Sequence, residues 1–315
     1  MVTPAGQRQT GRAGAGVRRL GWLLAVPCLA GCAVERLVVD RVGNALADGG
    51  TVYAADDDPD LIAVASPFGL KLTESLLAKL PDHRGLLLAA ARGFTQYAYA
   101  FVELPADETE LSDVAAAGAA RERARRLYLR ARDYGLRGLS SRHPQFAQRL
   151  RADASAVLSQ ARRDDVALLY WTAAAWGAAI SLGKNDPALL ADLPLVQGLA
   201  DRALQLDESF SDGTVHLLQV SLAASRPIPQ GEQIATARQH FERAVALAGS
   251  RQAAPFVTYA EAIAIPGGRL DEFEQMLDRA LAVDPAKAPE VRLANEIYQC
   301  RARWLRAHAD QFFVR

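Results

Sequence analysis

The sequence predicts an all-α protein built from degenerate tetratricopeptide-like helical hairpin repeats, with additional helices at the N- and C-terminal ends. From residue 34 onward the chain lacks the period-two alternation of strands, while Ala, Leu, Arg and Glu dominate its periodic runs. Proline and glycine fall between those runs, as they do between helices. Short similar segments also recur at intervals typical of helical hairpin repeats.

The composition is that of a globular protein with a large core. Half of the 315 residues are apolar, and 36 Lys and Arg are balanced by 36 Asp and Glu. The high apolar content and the zero net charge exclude disorder as the dominant state. The chain also lacks the excess of basic residues that is typical of nucleic-acid-binding proteins. Residues 1–31 carry four arginines and no acid, so the remainder holds 32 basic against 36 acidic side chains, a net charge of −4.

The N-terminal segment has the pattern of a secretory signal. Arg18 and Arg19 precede an apolar run at residues 20–29 that is too short to span a bilayer. The run ends in Leu-Ala-Gly-Cys at residues 29–32, which resembles the lipobox of bacterial lipoproteins. In that motif the cysteine becomes the acylated N-terminus, and the acyl chains hold the protein on a membrane. The alternative is an uncleaved helix with an incidental cysteine at position 32.

The predicted organisation is therefore a signal peptide at residues 1–31 and one all-α domain at residues 32–315, anchored through Cys32. Cys28 would leave with the signal, so Cys300 is the remaining thiol and no intrachain disulfide is expected. No Cys/His spacing predicts a metal site. We expect Cys300 to be an ordinary buried small side chain.

Local signals place the individual helices. Asp58 before Pro59 predicts an N-cap followed by proline in the first helical turn. Two helices, at 86–102 and 166–182, are apolar on every side, which predicts that they are buried at the centre of the protein. A membrane span is the weaker interpretation, because Arg92 would be costly in the middle of the first.

The repeats are degenerate. Asp201-Arg-Ala-Leu, Glu242-Arg-Ala-Val and Asp278-Arg-Ala-Leu follow one another at intervals of 41 and 36 residues. The second helix of a tetratricopeptide repeat has a small residue, then an aromatic four positions later, then alanine three positions after that. Sets that fit wholly or partly are Ala124, Tyr128 and Ala131; Val196, Ala200 and Ala203; Ala237, Phe241 and Ala244; and Phe273, Leu277 and Ala280. A generic helical bundle is the alternative.

Aromatic residues on the two apolar helices are candidates for the wall of a ligand cavity, where Tyr and Trp offer a ring and a polar edge. Packing in the core is the common explanation of such residues, and the sequence leaves both open. The six candidates are Phe94, Tyr97, Phe101, Tyr170, Trp171 and Trp176.

Catalytic motifs are absent from the sequence, which has no GxSxG, HExxH or Walker loop, and its five histidines are scattered. Asp107, Glu108 and Glu110 fit a solvated loop. A helical enzyme using Asp164 and Asp165 is a weak hypothesis, because adjacent helical residues point about 100° apart. We therefore predict neither a catalytic residue nor a cofactor.

Eight stretches of the chain carry a resemblance to a known family. They are residues 56–59 (Asp-Asp-Asp-Pro), 66–71 (Ser-Pro-Phe-Gly-Leu-Lys), 93–101 (Gly-Phe-Thr-Gln-Tyr-Ala-Tyr-Ala-Phe), 170–171 (Tyr-Trp), 174–182 (Ala-Ala-Trp-Gly-Ala-Ala-Ile-Ser-Leu), 238–244 (Arg-Gln-His-Phe-Glu-Arg-Ala), 292–295 (Arg-Leu-Ala-Asn) and 301–305 (Arg-Ala-Arg-Trp-Leu). Together they resemble the TatT family, the T-component lipoproteins associated with TRAP transporters, and the resemblance covers nearly all of the chain after the signal.

The resemblance implies a lipid-anchored protein of the cell envelope that faces the periplasm and forms trimers. It also implies a partner, the periplasmic substrate-binding (P) component of a TRAP transporter, and a hydrophobic ligand held in or passed through an apolar cavity. It implies no catalysis, and it leaves open which membrane carries the anchor. A general lipoprotein scaffold for envelope assembly, with no ligand, is the alternative function.

Overall fold

A computed structural model describes residues 50–223 and 229–313, which lie in a compact unit spanning residues 43–315. The predicted signal peptide and Cys32 lie outside the described residues. Within those two ranges the regular structure is helical and includes no strand, as the sequence predicts.

We number the α-helices of the described residues in chain order. They are α1 (Gly50–Ala54), α2 (Pro59–Lys79), α3 (Arg84–Ala98), α4 (Leu104–Glu110), α5 (Val114–Ser140), α6 (Phe146–Ala152), α7 (Ala154–Ser159), α8 (Val166–Leu182), α9 (Pro187–Leu190), α10 (Leu193–Leu206), α11 (Thr214–Leu222), α12 (Gln230–Ala248), α13 (Ala254–Tyr259), α14 (Leu270–Leu281), α15 (Arg292–Ala307) and α16 (Ala309–Phe312). Short 3₁₀ segments and two π-helical turns, at Tyr99–Glu103 and Ala260–Ala264, connect some of them.

The helices pack mainly on their neighbours in sequence, as in helical hairpin repeats. α2 contacts α3, α3 contacts α5, α5 contacts α8, and α8 contacts α10; the row continues through α11, α12, α13 and α14 to α15. α15 also contacts α1 and α2, and Arg292 Nη2 lies 2.5 Å from Asp57 Oδ2. The last long helix therefore packs against the first ones, which closes the row.

Local sequence signals agree with the helix boundaries. The Asp58 side chain accepts a hydrogen bond from the Leu61 backbone N–H at 2.9 Å, which caps α2 immediately before Pro59. α8 occupies residues 166–182, as predicted, and is buried along much of its length. The apolar helix predicted at 86–102 is less regular than expected, because α3 ends at Ala98 and the chain continues as a π-helical turn.

Between residues 50 and 313, leaving out 224–228, two helical segments are long and apolar enough to cross a membrane, Pro59–Lys79 and Arg163–Leu182. The second contains α8 and is largely enclosed by other helices, as expected for a core helix. The first is mostly accessible and exposes Leu61, Val64 and Phe68, the last two at 80% and 75%.

The positions that suggested repeats lie in the core. All twelve side chains of the four sets are buried. Burial of these positions suits helices that approach closely through alanine. It is equally expected of a helical bundle, so the tetratricopeptide-like character stays a prediction.

The backbones of α5 and α8 pack closely in the core at two glycines of α5. A Cβ atom at Gly135 would lie 2.1 Å from Thr172 Oγ1 and 3.3 Å from Thr172 Cα. One turn further along α5, a Cβ atom at Gly138 would lie 2.6 Å from Leu168 Cδ2. The two backbones can therefore pack at this distance only without these side chains.

Gly135→Ala is expected to lower the free energy of unfolding by about 1–3 kcal/mol, because the added methyl group overpacks the α5–α8 contact. Gly118→Ala is the matched control on the same helix: it is exposed and a Cβ atom there meets nothing within 4 Å. We expect this control to gain up to about 1 kcal/mol from helix propensity. Urea denaturation of both variants tests the contact, and equal effects would contradict it.

Candidate functional site

Two π-helical turns bring acidic residues to the place where the N-terminal and C-terminal helices meet. The turn Tyr99–Glu103 joins α3 to α4, and the turn Ala260–Ala264 follows α13. Such turns are rare in proteins, and those that occur often lie at functional sites. The first places Tyr99 and Glu103 near α15, and the second places Glu261 there.

Arg301 on α15 connects the second π-helical turn to α4, the helix that follows the first turn. Its Nε donates a hydrogen bond to Glu261 Oε1 at 2.7 Å, and its Nη2 donates to Asp107 Oδ2 at 2.9 Å. Arg121 on α5 approaches Asp107 from the other side, with Nη2 2.8 Å from Oδ1, and also pairs with Glu110 at 2.6 Å. Arg301 keeps only 9% of its surface accessible, so the network is buried at its Arg301 end and becomes accessible towards Arg121 and Glu110.

Glu103 stands next to this network with a different set of contacts. The Tyr128 hydroxyl donates a short hydrogen bond to Glu103 Oε2, and within the described residues Glu103 forms no ion pair. Burial raises the pKa of Glu103 to about 7, although the hydrogen bond from Tyr128 opposes the rise. Burial also raises the pKa of Glu261, against the attraction of Arg301.

Tyr99 and Tyr298 lie beside these carboxyl groups and Tyr170 lies beside Tyr298; we call the three the interior tyrosine cluster. The rings of Tyr99 and Tyr298 are 5.8 Å apart, and the Tyr170 ring lies 5.0 Å from that of Trp171. Burial raises the pKa of each cluster hydroxyl, and the neighbouring Tyr170 adds to the rise at Tyr298. Each of the three residues nevertheless keeps part of its surface accessible.

The six aromatic residues that the sequence singled out fall into two groups. Phe94 and Trp176 are buried, whereas Tyr97, Phe101, Tyr170 and Trp171 keep an intermediate exposure. Phe94 stacks on Tyr134, with ring centroids 5.9 Å apart and planes within 15°. The Trp176 ring lies 5.2 and 5.5 Å from the guanidinium groups of Arg132 and Arg151.

Tyr170 belongs to the interior tyrosine cluster and Trp171 contacts it. Tyr97 and Phe101 instead contact each other, with ring centroids 5.9 Å apart. The structure thus does not gather all six around one point. A ligand-wall role stays a prediction for each of them.

Sequence reasoning missed the polar part of this site. Asp107 was expected in a solvated loop with Glu108 and Glu110, but all three lie on α4 and Asp107 binds Arg301. Its partners are 14 and 194 residues away in sequence, so no local spacing signals the pairing. The aromatic string at 97–101 was the one available pointer to the first π-helical turn.

The adjacent carboxylates that defined the enzyme hypothesis differ in burial. Asp165 is fully buried and accepts hydrogen bonds from Arg84 Nη2 at 2.6 Å and from the Arg162 backbone N–H at 2.8 Å. His143 Nε2 lies 2.9 Å from Asp165 Oδ2, the oxygen that also accepts from Arg162. Burial alone would raise the pKa of Asp165, but these hydrogen bonds lower it overall. Asp164 is largely exposed and Asp165 is fully buried, and they share one partner, Arg142, whose Nη1 lies 3.3 Å from Asp164 Oδ2 and 3.8 Å from Asp165 Oδ1.

Two further expectations differ from the structure. His216 and His240 seemed unrelated in sequence, yet their Nδ1 atoms lie 2.9 Å apart. Within the described residues no group of three or more His, Cys, Asp or Glu could hold a metal ion. Cys300 is exposed rather than buried, because it lies on the outer face of α15, where Arg303 Nη2 is 3.3 Å from Sγ.

Comparisons with known proteins identify the family. The model of the TRAP transporter T-component family matches residues 55–313. A protein of Treponema pallidum (strain Nichols), itself named only as uncharacterized, is 33% identical over 303 residues, which cover 90% of this chain and 94% of that protein. The family match includes both π-helical turns, the interior tyrosine cluster and Arg301. This chain belongs to the TRAP transporter T-component family, an accessory component of a transport system rather than an enzyme family.

Proposed function

We propose that this protein is a lipid-anchored, periplasm-facing accessory of a TRAP transport system that docks the substrate-binding P component and holds a hydrophobic ligand in its interior. Membership of the T-component family supports the role in transport. The arrangement at residues 29–32 supports the anchor at Cys32. The resemblance further suggests that the working form is a homotrimer.

The observation that carries the ligand-holding part is the state of the interior tyrosine cluster. Its three rings lie close to other aromatic rings and still keep part of their surface accessible, with Tyr99 and Tyr298 5.8 Å apart and Tyr170 5.0 Å from Trp171. They stand beside the buried guanidinium of Arg301 and its carboxylate partners. Partly accessible tyrosine and tryptophan rings beside buried polar groups are typical of surfaces that contact an apolar ligand with a polar end.

The arrangement of the helices supports the same proposal. The interior tyrosine cluster combines residues from the π-helical turn after α3, from α8 and from α15. These elements are far apart in sequence, and α15 reaches the N-terminal part of the protein, where it packs against α1 and α2. A scaffold that used only its outer surface would gain nothing from placing ionisable side chains inside, where desolvation is costly. The alternative of an envelope-assembly scaffold without a ligand leaves these residues unexplained.

The docking part is tested with the purified protein and the P component encoded beside a TRAP permease in the same genome. Analytical ultracentrifugation is expected to show a saturable complex, and the protein alone is expected to sediment as a trimer. A periplasmic binding protein of a different transporter class serves as the negative control. Independent sedimentation of the two proteins at concentrations up to about 100 µM would reject the docking proposal.

A further inference from the structure

The charged groups beside the interior tyrosine cluster do not pair completely. Arg301 binds Glu261 and Asp107, and Arg121 binds Asp107 together with Glu110. Glu103 is the carboxyl group left over, with the Tyr128 hydroxyl as its hydrogen-bond donor. One of its oxygens is therefore used, and Oε1 accepts no hydrogen bond from the part of the chain that the structure describes.

A donor is left over as well. Nη1 of Arg301 is buried and has no hydrogen-bond partner among the described residues, although Nε and Nη2 of the same guanidinium are both bonded. A buried N–H of a charged group without an acceptor is unusual, because its desolvation is not compensated. The site thus offers one unused donor and one unused carboxyl oxygen next to partly accessible aromatic rings.

We propose that the interior tyrosine cluster binds an apolar molecule whose uncharged head group both donates and accepts a hydrogen bond, as a hydroxyl or a primary amide does. The head group donates to Glu103 and accepts from Arg301, while the apolar body lies against Tyr170, Tyr298 and Trp171. This inference rests on the ligand-holding part of the proposed function and specifies the class of ligand.

The local charge balance selects an uncharged head group. Four carboxyl groups, those of Asp107, Glu110, Glu261 and Glu103, outnumber the two guanidinium groups of Arg301 and Arg121, so a carboxylate head would add a further negative charge. An ammonium head could approach Glu103, but it would leave Arg301 Nη1 unpaired and bring a second cation beside it. A hydroxyl or amide satisfies both groups without changing the net charge.

The experiment compares probes that share a ten-carbon chain and differ only in the head group. Binding of decanol, decanamide, decanoate and decylamine to the purified full-length protein is measured by isothermal titration calorimetry at neutral pH. Decanol and decanamide are expected to bind about tenfold more tightly than the two charged probes. Tightest binding of decanoate or of decylamine would overturn the proposal, as would the absence of binding by any probe.

Variants connect the preference to the named residues. Arg301→Lys keeps the positive charge but loses the planar fork, so decanol binding is expected to weaken about tenfold. Glu103→Gln uses its amide oxygen to accept from Tyr128 and presents only an amide donor to the ligand, so decanol binding is expected to weaken about tenfold here too. Glu108→Gln, an exposed carboxylate on α4, is the matched control. Thermal melting verifies folding, and unchanged decanol affinity in folded Arg301→Lys would contradict the assignment.

The outcome is separable from that of the docking test. A complex with the P component but no preference for neutral probes would reject the ligand class and leave docking intact. Preferential binding of neutral probes without any complex would reject docking and support the interior site. The two proposals therefore fail on different measurements.

Discussion

Replacing Trp176 with alanine is expected to lower the free energy of unfolding by about 3–5 kcal/mol. Trp176 is 1% exposed at the centre of α8 and belongs to the largest group of buried residues around that helix. Arg132 and Arg151 lie over its ring, and Arg151 is held in place by Asp192 at 2.5 Å. Truncation therefore removes a large buried ring and two cation–π contacts together.

The matched control is Trp171→Ala on the same helix. Trp171 keeps part of its surface accessible and contacts Tyr170 of the interior tyrosine cluster. We expect a smaller loss of stability and a weaker affinity for apolar probes, whereas Trp176→Ala loses stability first. Chemical denaturation beside a binding assay separates the two residues. Equal stability losses, or loss of probe binding only at Trp176, would contradict the assignment of Trp171 to the ligand wall.

Glu103→Gln is expected to change how stability depends on pH. The pKa of Glu103 is raised from 4.5 to about 7 mainly by burial, so the folded protein binds this proton more tightly than the unfolded chain. The associated stability, about 3 kcal/mol, is fully present below pH 4.5 and is lost as the pH rises to about 7. Glutamine cannot ionise and still accepts the hydrogen bond from Tyr128.

The measurement is the difference in unfolding free energy between the original protein and the variant at pH 4.5 and pH 8. The variant is expected to be more stable relative to the original protein at pH 8 than at pH 4.5, by about 3 kcal/mol. Ionisable groups that do not interact with Glu103 cancel in this difference, whereas Asp107 and Glu261 interact with its charge and contribute to it. Glu108→Gln should show no such change, and a pH-independent difference for Glu103→Gln would refute a desolvated carboxyl at this position.

The helical class and several boundaries of this fold follow from local sequence signals. The Asp58–Pro59 pair determines the start of α2, and the uncharged run at 166–182 gives α8 both its bounds and its burial. These features depend on neighbouring residues, so a single sequence is sufficient to predict them. The family resemblance was carried by aromatic strings of the same local kind, and the family match confirms it.

The polar part of the site could not be predicted in this way. Arg301 and Asp107 are 194 residues apart and meet because α15 returns to the first helices. The π-helical turns likewise depend on how the flanking helices pack, and no residue type at Tyr99–Glu103 requires one. Whether an aromatic residue such as Trp171 or Trp176 faces a ligand or the core is also decided by packing rather than by helical periodicity.

A crystal structure of the protein soaked with decanol would show whether this TRAP T-component has an interior ligand site. We expect the hydroxyl oxygen to lie within hydrogen-bond distance of Arg301 Nη1 and a Glu103 oxygen, and the alkyl chain to lie against Tyr170 and Tyr298. A structure in which neighbouring side chains fill that space, or in which decanol binds only on the outer surface, would contradict it.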